Sequence, residues 1–490
     1  MEQLSPLDAS FLYTENERVA NHIGGLYIYD QSTVPGGMLR FRQILRYLES
    51  HIHKGPRYRQ KLANVPLNLD HPYWVDDSRF DIEYHVRHLA LPKPGDWRQL
   101  CILVSRLHDR PLDLSRPLWT MDVIEGLDNV EGLPPGSFAI VTKLHHAAID
   151  GVSSVSMNTA IHETEPGLRL GTPEPWTPET EPTPMELLGR AHMNNLAQPM
   201  RLLKLMAESV PASARYFLTL GEENLRMDLP AGQVPSTRFN REISGRRVFN
   251  GISFDLADLR AIKDALPGAT INDVVLALGG GALRRYLLAK NELPDEPLIT
   301  MAPISVRTRA ATAMTTGNEV TAMLASLGTH IADPRQRLEA VRASTSNSKA
   351  LTNAIGARLL TDFQQLLPAT TNGVAAQFLA QMRLANGGRP LFNTVMTNVP
   401  GPQHPLYFAG ARLVNQYGLG IVQDGLGLFH TILSYDGKLT ITAISDRDMM
   451  PDPEFYMSCF RDAFDELKAA MVPPSPPRPR VRKPATSAAE

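Results

Sequence analysis

The sequence predicts a mixed α/β (α+β) fold built as two halves joined by a proline-rich crossover. The chain has 490 residues, which is longer than one hydrophobic core usually supports. Strand-like alternation and helix-like spacing of apolar residues occur on both sides of the crossover. The crossover itself, residues 165–184, contains six prolines, a composition typical of extended chain.

The first half combines short strands and helices. His22–Asp30 has strand character, and Leu39–His53 has apolar residues at helical spacing. Phe138–Leu144 alternates side chains between two different faces, as a strand does. We expect a helix from Gly151, because Asp150 is a favourable N-cap residue.

The second half contains a predicted helix and a predicted hairpin. Asn272–Tyr286 has helical character, and its glycine run Gly279–Gly281 indicates close packing, since it lacks the Gly-Lys-Ser/Thr ending of a phosphate-binding loop. Asp436-Gly437 lies between two strand-like segments, and this dipeptide favours the positive φ angles of a tight β-turn.

The helical pattern of residues 185–220 allows two interpretations. Its apolar residues could pack on a domain, or they could contact a membrane or lipid surface, since basic residues accompany them. The sequence therefore divides into four predicted segments: an N-terminal half (1–165), a crossover with a helical linker (166–245), a C-terminal half (246–472) and a disordered basic tail (473–490).

The composition excludes several classes of protein. The formal net charge of -2 gives no reason to expect nucleic acid binding, and 43% hydrophobic with 20% charged residues is typical of a soluble globular protein. Two cysteines cannot form a disulfide framework, which favours a reducing, cytoplasmic location. No secretory signal is expected, because the first residues are acidic and have no apolar core. Val274–Leu283 is the longest apolar run, far short of the about 20 residues of a spanning helix.

The segment His145-His146-Ala147-Ala148-Ile149-Asp150-Gly151 carries the clearest chemical signal. Neighbouring residues on a strand point to opposite faces, so only one of the two histidines can easily face a given cleft. A histidine there could be a general base, since its pKa lies near about 6.5. The pair could also be buried and hydrogen-bonded, or bind a metal, although no third ligand occurs at the spacing of zinc enzymes. No Gly-x-Ser-x-Gly motif is present, which disfavours a serine esterase.

The His-His-x-x-x-Asp-Gly segment resembles the active-site motif of the coenzyme A-dependent acyltransferase superfamily. Further segments resemble the wax ester synthase/diacylglycerol acyltransferase family within it, in the order expected for that family. These segments are the opening Leu4–Phe11, the Pro117-Leu118-Trp119 motif, Asn272-Asp273-Val274-Val275-Leu276-Ala277 and Asn398-Val399-Pro400-Gly401-Pro402.

The resemblance implies two chloramphenicol acetyltransferase-like domains, each with a mostly antiparallel or mixed sheet flanked by helices. The active site would lie in a tunnel between them. His146 would be the general base and His145 its supporting neighbour. Asp150 would fix the loop through an ion pair, for which Arg307 is either the partner or an unrelated surface arginine. Gly151 would permit the turn.

The remaining motifs have expected roles around the reaction centre. Asn272 is either an amide donor to substrate or oxyanion, or the N-cap of the following helix. Asp273 would favour the helix N-terminus electrostatically. The Pro117-Leu118-Trp119 motif would shape the pocket wall, and Asn398–Pro402 would form a structural turn.

The activity implied by the resemblance is lipid biosynthesis by O-acyl transfer. A long-chain acyl group would pass from acyl-CoA, a co-substrate, to a fatty alcohol or diacylglycerol, giving wax esters or triacylglycerols without a cofactor or metal. The protein would be cytoplasmic, with peripheral contact to the inner membrane face or lipid inclusions left open. The alternatives are a carrier-protein-dependent condensation or polyketide-ester acyltransferase and a non-catalytic protein that binds lipid inclusions.

Overall fold

Three β-sheets organise the protein, as described by a computed structural model for residues 1–148, 161–172, 175–196, 234–305, 320–355 and 389–472. Two of the sheets have six strands and the third has three. The strands are β1 (Glu2–Gln3), β2 (His22–Asp30), β3 (Gln60–Ala63), β4 (Tyr73–Asp76), β5 (Val86–Ala90), β6 (Trp119–Glu125), β7 (Phe138–His145), β8 (Arg247–Asp255), β9 (Ile299–Ser305), β10 (Val320–Ser326), β11 (Thr394–Pro400), β12 (Tyr407–Phe408), β13 (Ala411–Leu419), β14 (Leu428–Tyr435) and β15 (Lys438–Asp446).

Helices pack around these sheets. The described α-helices are Pro6–Tyr13, Phe41–His51, Ile82–His85, Trp97–Asp109, Leu256–Asp264, Ile271–Ala289, Pro334–Ile355 and Pro453–Met471. Residues 184–196 are also helical. Short 3₁₀ helices occur at Gln31–Thr33, Ile52–Lys54, Pro56–Tyr58, Pro66–Asn68, His146–Ala148 and Arg238–Asn240.

The sheet that carries the histidine motif has the strand order β12-β13-β2-β7-β6-β5. Its pairs are antiparallel except for β5 with β6. Strands β12 and β13 come from the predicted C-terminal half, yet β13 pairs with β2 from Arg412–Asp30 to Leu419–Gly24. The N-terminal sheet is therefore completed by a distant part of the chain, and the domain boundaries proposed above stay a prediction.

The second large sheet has the strand order β10-β9-β11-β14-β15-β8. Strand β11 runs parallel to both of its neighbours, whereas the other pairs are antiparallel. The β14–β15 hairpin turns through Asp436 and Gly437, whose φ angles of 43° and 79° both lie in the left-handed region that this dipeptide tolerates. The mixed fold and the hairpin predicted from the sequence are confirmed.

Helix Trp97–Asp109 joins the two large sheets. Its apolar residues Leu100 and Val104 are fully buried in a core shared by β2 and β7 of one sheet and β8 and β15 of the other. Trp97 Nε1 donates a hydrogen bond of 2.9 Å to Asn250 Oδ1 on β8. The Asp96 side chain caps the helix by accepting the Gln99 N–H at 2.8 Å. This helix thereby fixes how the sheets approach each other behind strand β7.

Helix Ile271–Ala289 begins one residue before the predicted start and runs through the core of the second half. Its three glycines Gly279–Gly281 are buried and give neighbouring elements close approach, as predicted. A Cβ at Gly280 would lie 1.9 Å from the Leu327 carbonyl oxygen. Only glycine therefore allows the helix to pack at this distance.

The remaining predictions have different outcomes. Leu39–His53 is confirmed as helical in its central part, helix Phe41–His51. Of the 185–220 segment, the residues up to 196 are helical and the others lie outside the described residues, as does the 473–490 tail. Among the described helices, none is long and apolar enough to cross a membrane.

Replacing Gly280 by alanine should lower the free energy of unfolding by about 1–3 kcal/mol, because the added methyl group collides with main chain rather than with a movable side chain. Urea denaturation measures the change. Gly189→Ala is the matched control, since an added Cβ there meets nothing within 4 Å. In an exposed helix that change should be neutral or stabilising by up to about 1 kcal/mol. Equal effects at both glycines would contradict the packing argument.

Candidate active site

The two histidines lie where strand β7 ends and a single 3₁₀ turn begins. His145 is the last residue of β7, and His146 opens the turn His146–Ala148. The His145 side chain is fully buried, whereas His146 is only partly buried. The two side chains thus occupy different environments, although His146 lies in the turn and not on the strand.

Three contacts fix His145. Its backbone N–H donates to the Leu118 carbonyl oxygen at 2.9 Å. Its ring Nδ1 accepts the Ala147 N–H at 3.0 Å. Its Nε2 lies 3.1 Å from Glu15 Oε1, a close contact whose angle falls outside hydrogen-bond geometry. A buried ring with this many partners has little freedom to rotate.

His146 is held by its main chain and by a ring contact. Its N–H donates to the Asn21 carbonyl oxygen at 2.8 Å. Its ring stacks on Phe11, with centroids 3.8 Å apart and planes inclined by 25°. Nδ1 is buried and has no hydrogen-bond partner among the described residues. Burial, followed by the neighbouring His145 ring, lowers the pKa of His146 to about 4, so the ring is neutral at physiological pH.

The Pro117-Leu118-Trp119 motif lies directly beside the histidines. The Leu118 carbonyl receives the His145 N–H, as described above, and Trp119 opposes Leu144 in the β6–β7 ladder. Trp119 Nε1 donates to the Tyr58 carbonyl oxygen at 2.9 Å, which satisfies the buried indole N–H. These bonds fix the motif next to the end of β7.

Trp119 also lines a cavity of about 90 Å³ on the face of the sheet opposite His145. The lining includes Tyr27, Met121 and Leu144, so most of its surface is apolar. Leu144 precedes the histidine pair directly. The structure thus places an apolar space beside the motif that was predicted to shape a pocket wall.

Asn272 and Asn398, from two motifs far apart in sequence, lie together. Asn398 Nδ2 donates to Asn272 Oδ1 at 3.4 Å. The N-cap role considered for Asn272 is wrong, because the cap is Thr270, whose side chain accepts the Asp273 N–H. Asn398 is also not in a turn: the residues up to Pro400 belong to strand β11, since they pair with β14.

Asp273 completes the capping of the same helix. Its Oδ2 accepts the Thr270 N–H at 2.7 Å, and its Oδ1 accepts the Thr345 hydroxyl at 2.6 Å. Asp273 therefore lies in the first turn, as predicted, and ties its helix to Pro334–Ile355. No hydrogen bond or ion pair among the described residues joins this group to the histidine group. Asp150, Gly151 and Arg307 lie outside the described residues.

Sequence comparisons identify the protein family. Residues 4–275 match the wax ester synthase/diacylglycerol acyltransferase catalytic domain, and residues 316–468 match the C-terminal domain of the same family. The chain belongs to this family of acyltransferases. The family resemblance and the enzyme class predicted from the motifs are thereby confirmed.

Individual relatives cover almost the entire chain. A candidate diacylglycerol O-acyltransferase of Mycobacterium tuberculosis is 34% identical over 95% of this chain and 90% of its own length. The O-acyltransferase WSD of Acinetobacter baylyi is 32% identical over 92% of this chain and 93% of its own length. The family relationship therefore extends well beyond the short motifs.

Solved structures agree on the fold. The wax ester synthase/diacylglycerol acyltransferase of Marinobacter aquaeolei aligns over 96% of this chain and 100% of its own, with 27% identity and a TM-score of 0.69. The starter condensation domain of rhizomide synthetase aligns over 96% and 94%, with 12% identity and a TM-score of 0.54. At that identity the second likeness concerns the fold alone, and it supports the superfamily fold expected from the sequence.

Sequence reasoning missed Glu15 and Asn21, which contact the histidine pair. Both residues follow the opening Leu4–Phe11 segment, which was recognised as a family motif but assigned no role. A carboxylate four residues beyond that segment gives no sequence signal of its own, because its histidine partner is about 130 residues away.

The lowered pKa of His146 predicts a specific pH dependence of stability. The unfolded ring binds a proton below a pKa of 6.5, whereas the folded ring stays neutral down to about pH 4. Stability is therefore lost as pH falls through this window, by up to about 1.4 kcal/mol per pH unit for this group. We measure the free energy of unfolding by urea denaturation between about pH 7 and 5. In His146→Gln this free energy should fall less steeply with decreasing pH than in the wild type, by the contribution of His146.

His404→Gln is the matched control, because His404 is exposed. The pH dependence of its free energy of unfolding should equal that of the wild type. An unchanged slope in His146→Gln would show that the folded ring titrates like a free histidine.

Proposed function

We propose that this protein transfers a long-chain acyl group from acyl-CoA to a fatty alcohol, to diacylglycerol, or to both, with His146 as the general base. The observation that carries the proposal is the His146 environment: its ring is held neutral by burial and stacks on Phe11, and its main-chain N–H is bonded to the Asn21 carbonyl. A neutral imidazole can accept the hydroxyl proton of an alcohol during attack, which typically contributes about 10²–10⁴-fold.

The proposed reaction is direct attack within a ternary complex. His146 takes the hydroxyl proton while the alcohol oxygen forms a bond to the thioester carbonyl carbon. The tetrahedral intermediate then loses the CoA thiolate as the C–S bond breaks, and His146 returns the proton to the sulfur. No cofactor enters this sequence. No cysteine nucleophile is needed, and burial raises the pKa of both cysteine thiols, which disfavours their thiolates.

Two further groups support the reaction in this proposal. Asn272 is the candidate donor to the oxyanion, because its Oδ1 accepts from Asn398 and this orients its own NH₂ group. The apolar cavity beside Trp119 is a candidate site for part of an alkyl chain. We retain Asp150 as the residue that fixes the turn after His146, with Arg307 as its candidate partner.

The assignment predicts acceptor-dependent release of CoA thiol. Wild-type protein should release thiol from palmitoyl-CoA when hexadecanol or dioleoylglycerol is present, with an ester product detected by mass spectrometry. His146→Ala should lose at least about 10²-fold in kcat while still showing a cooperative unfolding transition. If the folded wild-type protein releases no thiol with either alcohol, the proposal is overturned.

A carrier-protein thioester, tested in parallel, separates the condensation-type alternative from acyl-CoA dependence. Lipid binding that is equal in wild type and His146→Ala, without turnover in either, would instead indicate the non-catalytic alternative.

We also propose peripheral contact with a lipid surface through the helical residues 184–196. Met185, Met193 and Leu196 on this helix are 76%, 67% and 62% exposed. At 3.6 residues per turn they fall on one face, whereas Leu187 and Ala191 are buried on the opposite face. An exposed apolar stripe of this kind is typical of helices that lie at a lipid interface.

Replacing Met185, Met193 and Leu196 together by serine should reduce binding to vesicles of phosphatidylcholine and phosphatidylserine by more than about tenfold, since each buried apolar side chain contributes about 1.5–3 kcal/mol. Vesicle flotation measures the bound fraction.

The control replaces three exposed apolar residues elsewhere, Met38, Leu288 and Leu391, by serine. That variant should bind as the wild type does. If both variants lose binding equally, or neither does, the helix is not the contact surface.

A further inference from the structure

The loop after helix Pro6–Tyr13 places a carboxylate against the buried histidine of the pair. We propose that Glu15 is a positioning residue of the acyl-transfer reaction, which holds His145 in one tautomer and thereby fixes the turn that carries His146. This inference rests on the proposed role of His146 as the base. Glu15 itself is not proposed to touch substrate.

The Glu15 carboxylate contacts two residues, Asn21 and His145. Its Oε1 accepts the Asn21 N–H at 2.7 Å and lies 3.1 Å from His145 Nε2. The Glu15 side chain is 15% exposed and the His145 side chain 0%. Among the described residues, it is the only carboxylate within ion-pair distance of His145. A contact this shielded from water is screened little by solvent.

The contacts of the His145 ring define its tautomer. The Ala147 N–H donates to Nδ1, so that nitrogen must carry the lone pair. In the neutral ring the proton is then on Nε2, which faces Glu15 Oε1. The negative carboxylate stabilises this tautomer electrostatically, because it attracts the Nε2–H dipole and would repel a lone pair on Nε2. The opposite tautomer would lose the Ala147 bond and leave two acceptors facing each other.

The effect reaches His146 along two paths. Ala147 lies in the same turn as His146, so the Nδ1 contact shapes that turn directly. Asn21 donates its N–H to Glu15 and accepts the His146 N–H through its carbonyl oxygen. Asn21 Nδ2 also donates to the carbonyl of Phe11, the residue whose ring stacks on His146. Loss of the carboxylate would therefore loosen the main chain on both sides of the base.

Other ionisable groups close to His145 do not provide the same contact. His22 opposes it across the β2–β7 ladder, and the Nε2 of His22 donates to the His108 carbonyl. Lys143, on the same face of β7, donates to the Leu107 carbonyl at 2.8 Å. Both side chains are thus engaged away from the His145 ring, which leaves Glu15 to fix its tautomer.

Kinetics provide the first test. Glu15→Ala should lower kcat for palmitoyl-CoA and hexadecanol by about 10–100-fold, because a small misplacement of a base is costly, while KM changes by less than about threefold. Glu15→Gln should keep most of the wild-type kcat, since its amide oxygen can still accept the Asn21 N–H and present a partial negative charge to His145 Nε2. Glu17→Ala, an exposed carboxylate two residues away, should behave as the wild type.

A change mainly in KM, or equal losses for Glu15→Ala and Glu15→Gln, would overturn the positioning role.

A double-mutant cycle tests whether Glu15 acts through His145. If it acts mainly through His145, Glu15→Ala should lower kcat much less in the His145→Ala background than in the wild type, because only the path through Asn21 then remains. A merely structural role of Glu15 would give losses that multiply. Multiplying losses would falsify the proposed route.

The third measurement does not depend on activity. In protein labelled with ¹⁵N-histidine, with His145→Asn used for assignment, the His145 signals should report a proton on Nε2 in the wild type. In Glu15→Ala they should shift toward a mixture of tautomers. If this shift occurs but the wild type shows no acyl transfer, the proposed function has failed and the Glu15–His145 contact stands. Unchanged signals would overturn the contact, whatever the activity.

Discussion

Two main-chain hydrogen bonds hold the end of strand β7, and the site depends on them. The His145 N–H binds the Leu118 carbonyl, and the His146 N–H binds the Asn21 carbonyl. The first bond ties the histidines to β6 and its tryptophan motif, and the second ties them to the loop before β2. Buried backbone groups must be paired. The chain can therefore leave the sheet after His145 only because β6 and the loop before β2 supply these two carbonyl groups.

Two buried ionisable side chains, His108 and Lys143, pack behind β7 on the face that carries His145. Burial lowers the pKa of His108 to about 3 and that of Lys143 to about 8. Lys143 nevertheless has a defined place, because its Nζ donates to a carbonyl at the C-terminal end of helix Trp97–Asp109, where a cation is favoured. His108 Nε2 donates to the Gly420 carbonyl at 2.9 Å and so links this helix to the chain after β13. The region behind the end of β7 is therefore held by hydrogen bonds from two buried ionisable side chains.

Local sequence patterns were sufficient to predict those strands and turns that are determined by neighbouring residues. His22–Asp30 is a strand with the predicted bounds, and Asp436-Gly437 forms the predicted turn, because alternation and positive φ depend only on nearby residues. The start of helix Ile271–Ala289 was misjudged, since Thr270 and Asn272 are both good caps and only the Thr270–Asp273 reciprocal bonds decide between them. The Glu15 contact and the pairing of β13 with β2 could not be foreseen, because each joins segments that are far apart in the sequence.

That pairing has a consequence for how the site is built. Strand β2 lies between β7, which carries the histidines, and β13, which comes from a position almost 400 residues later in the chain. Without β13, β2 would be an edge strand with unpaired main-chain groups and an exposed Tyr29, which is now fully buried. The loop that holds Glu15 and Asn21 leads directly into β2. The position of the histidine pair therefore depends on pairing between β2 and a strand from the second half of the chain, and not on the N-terminal half alone.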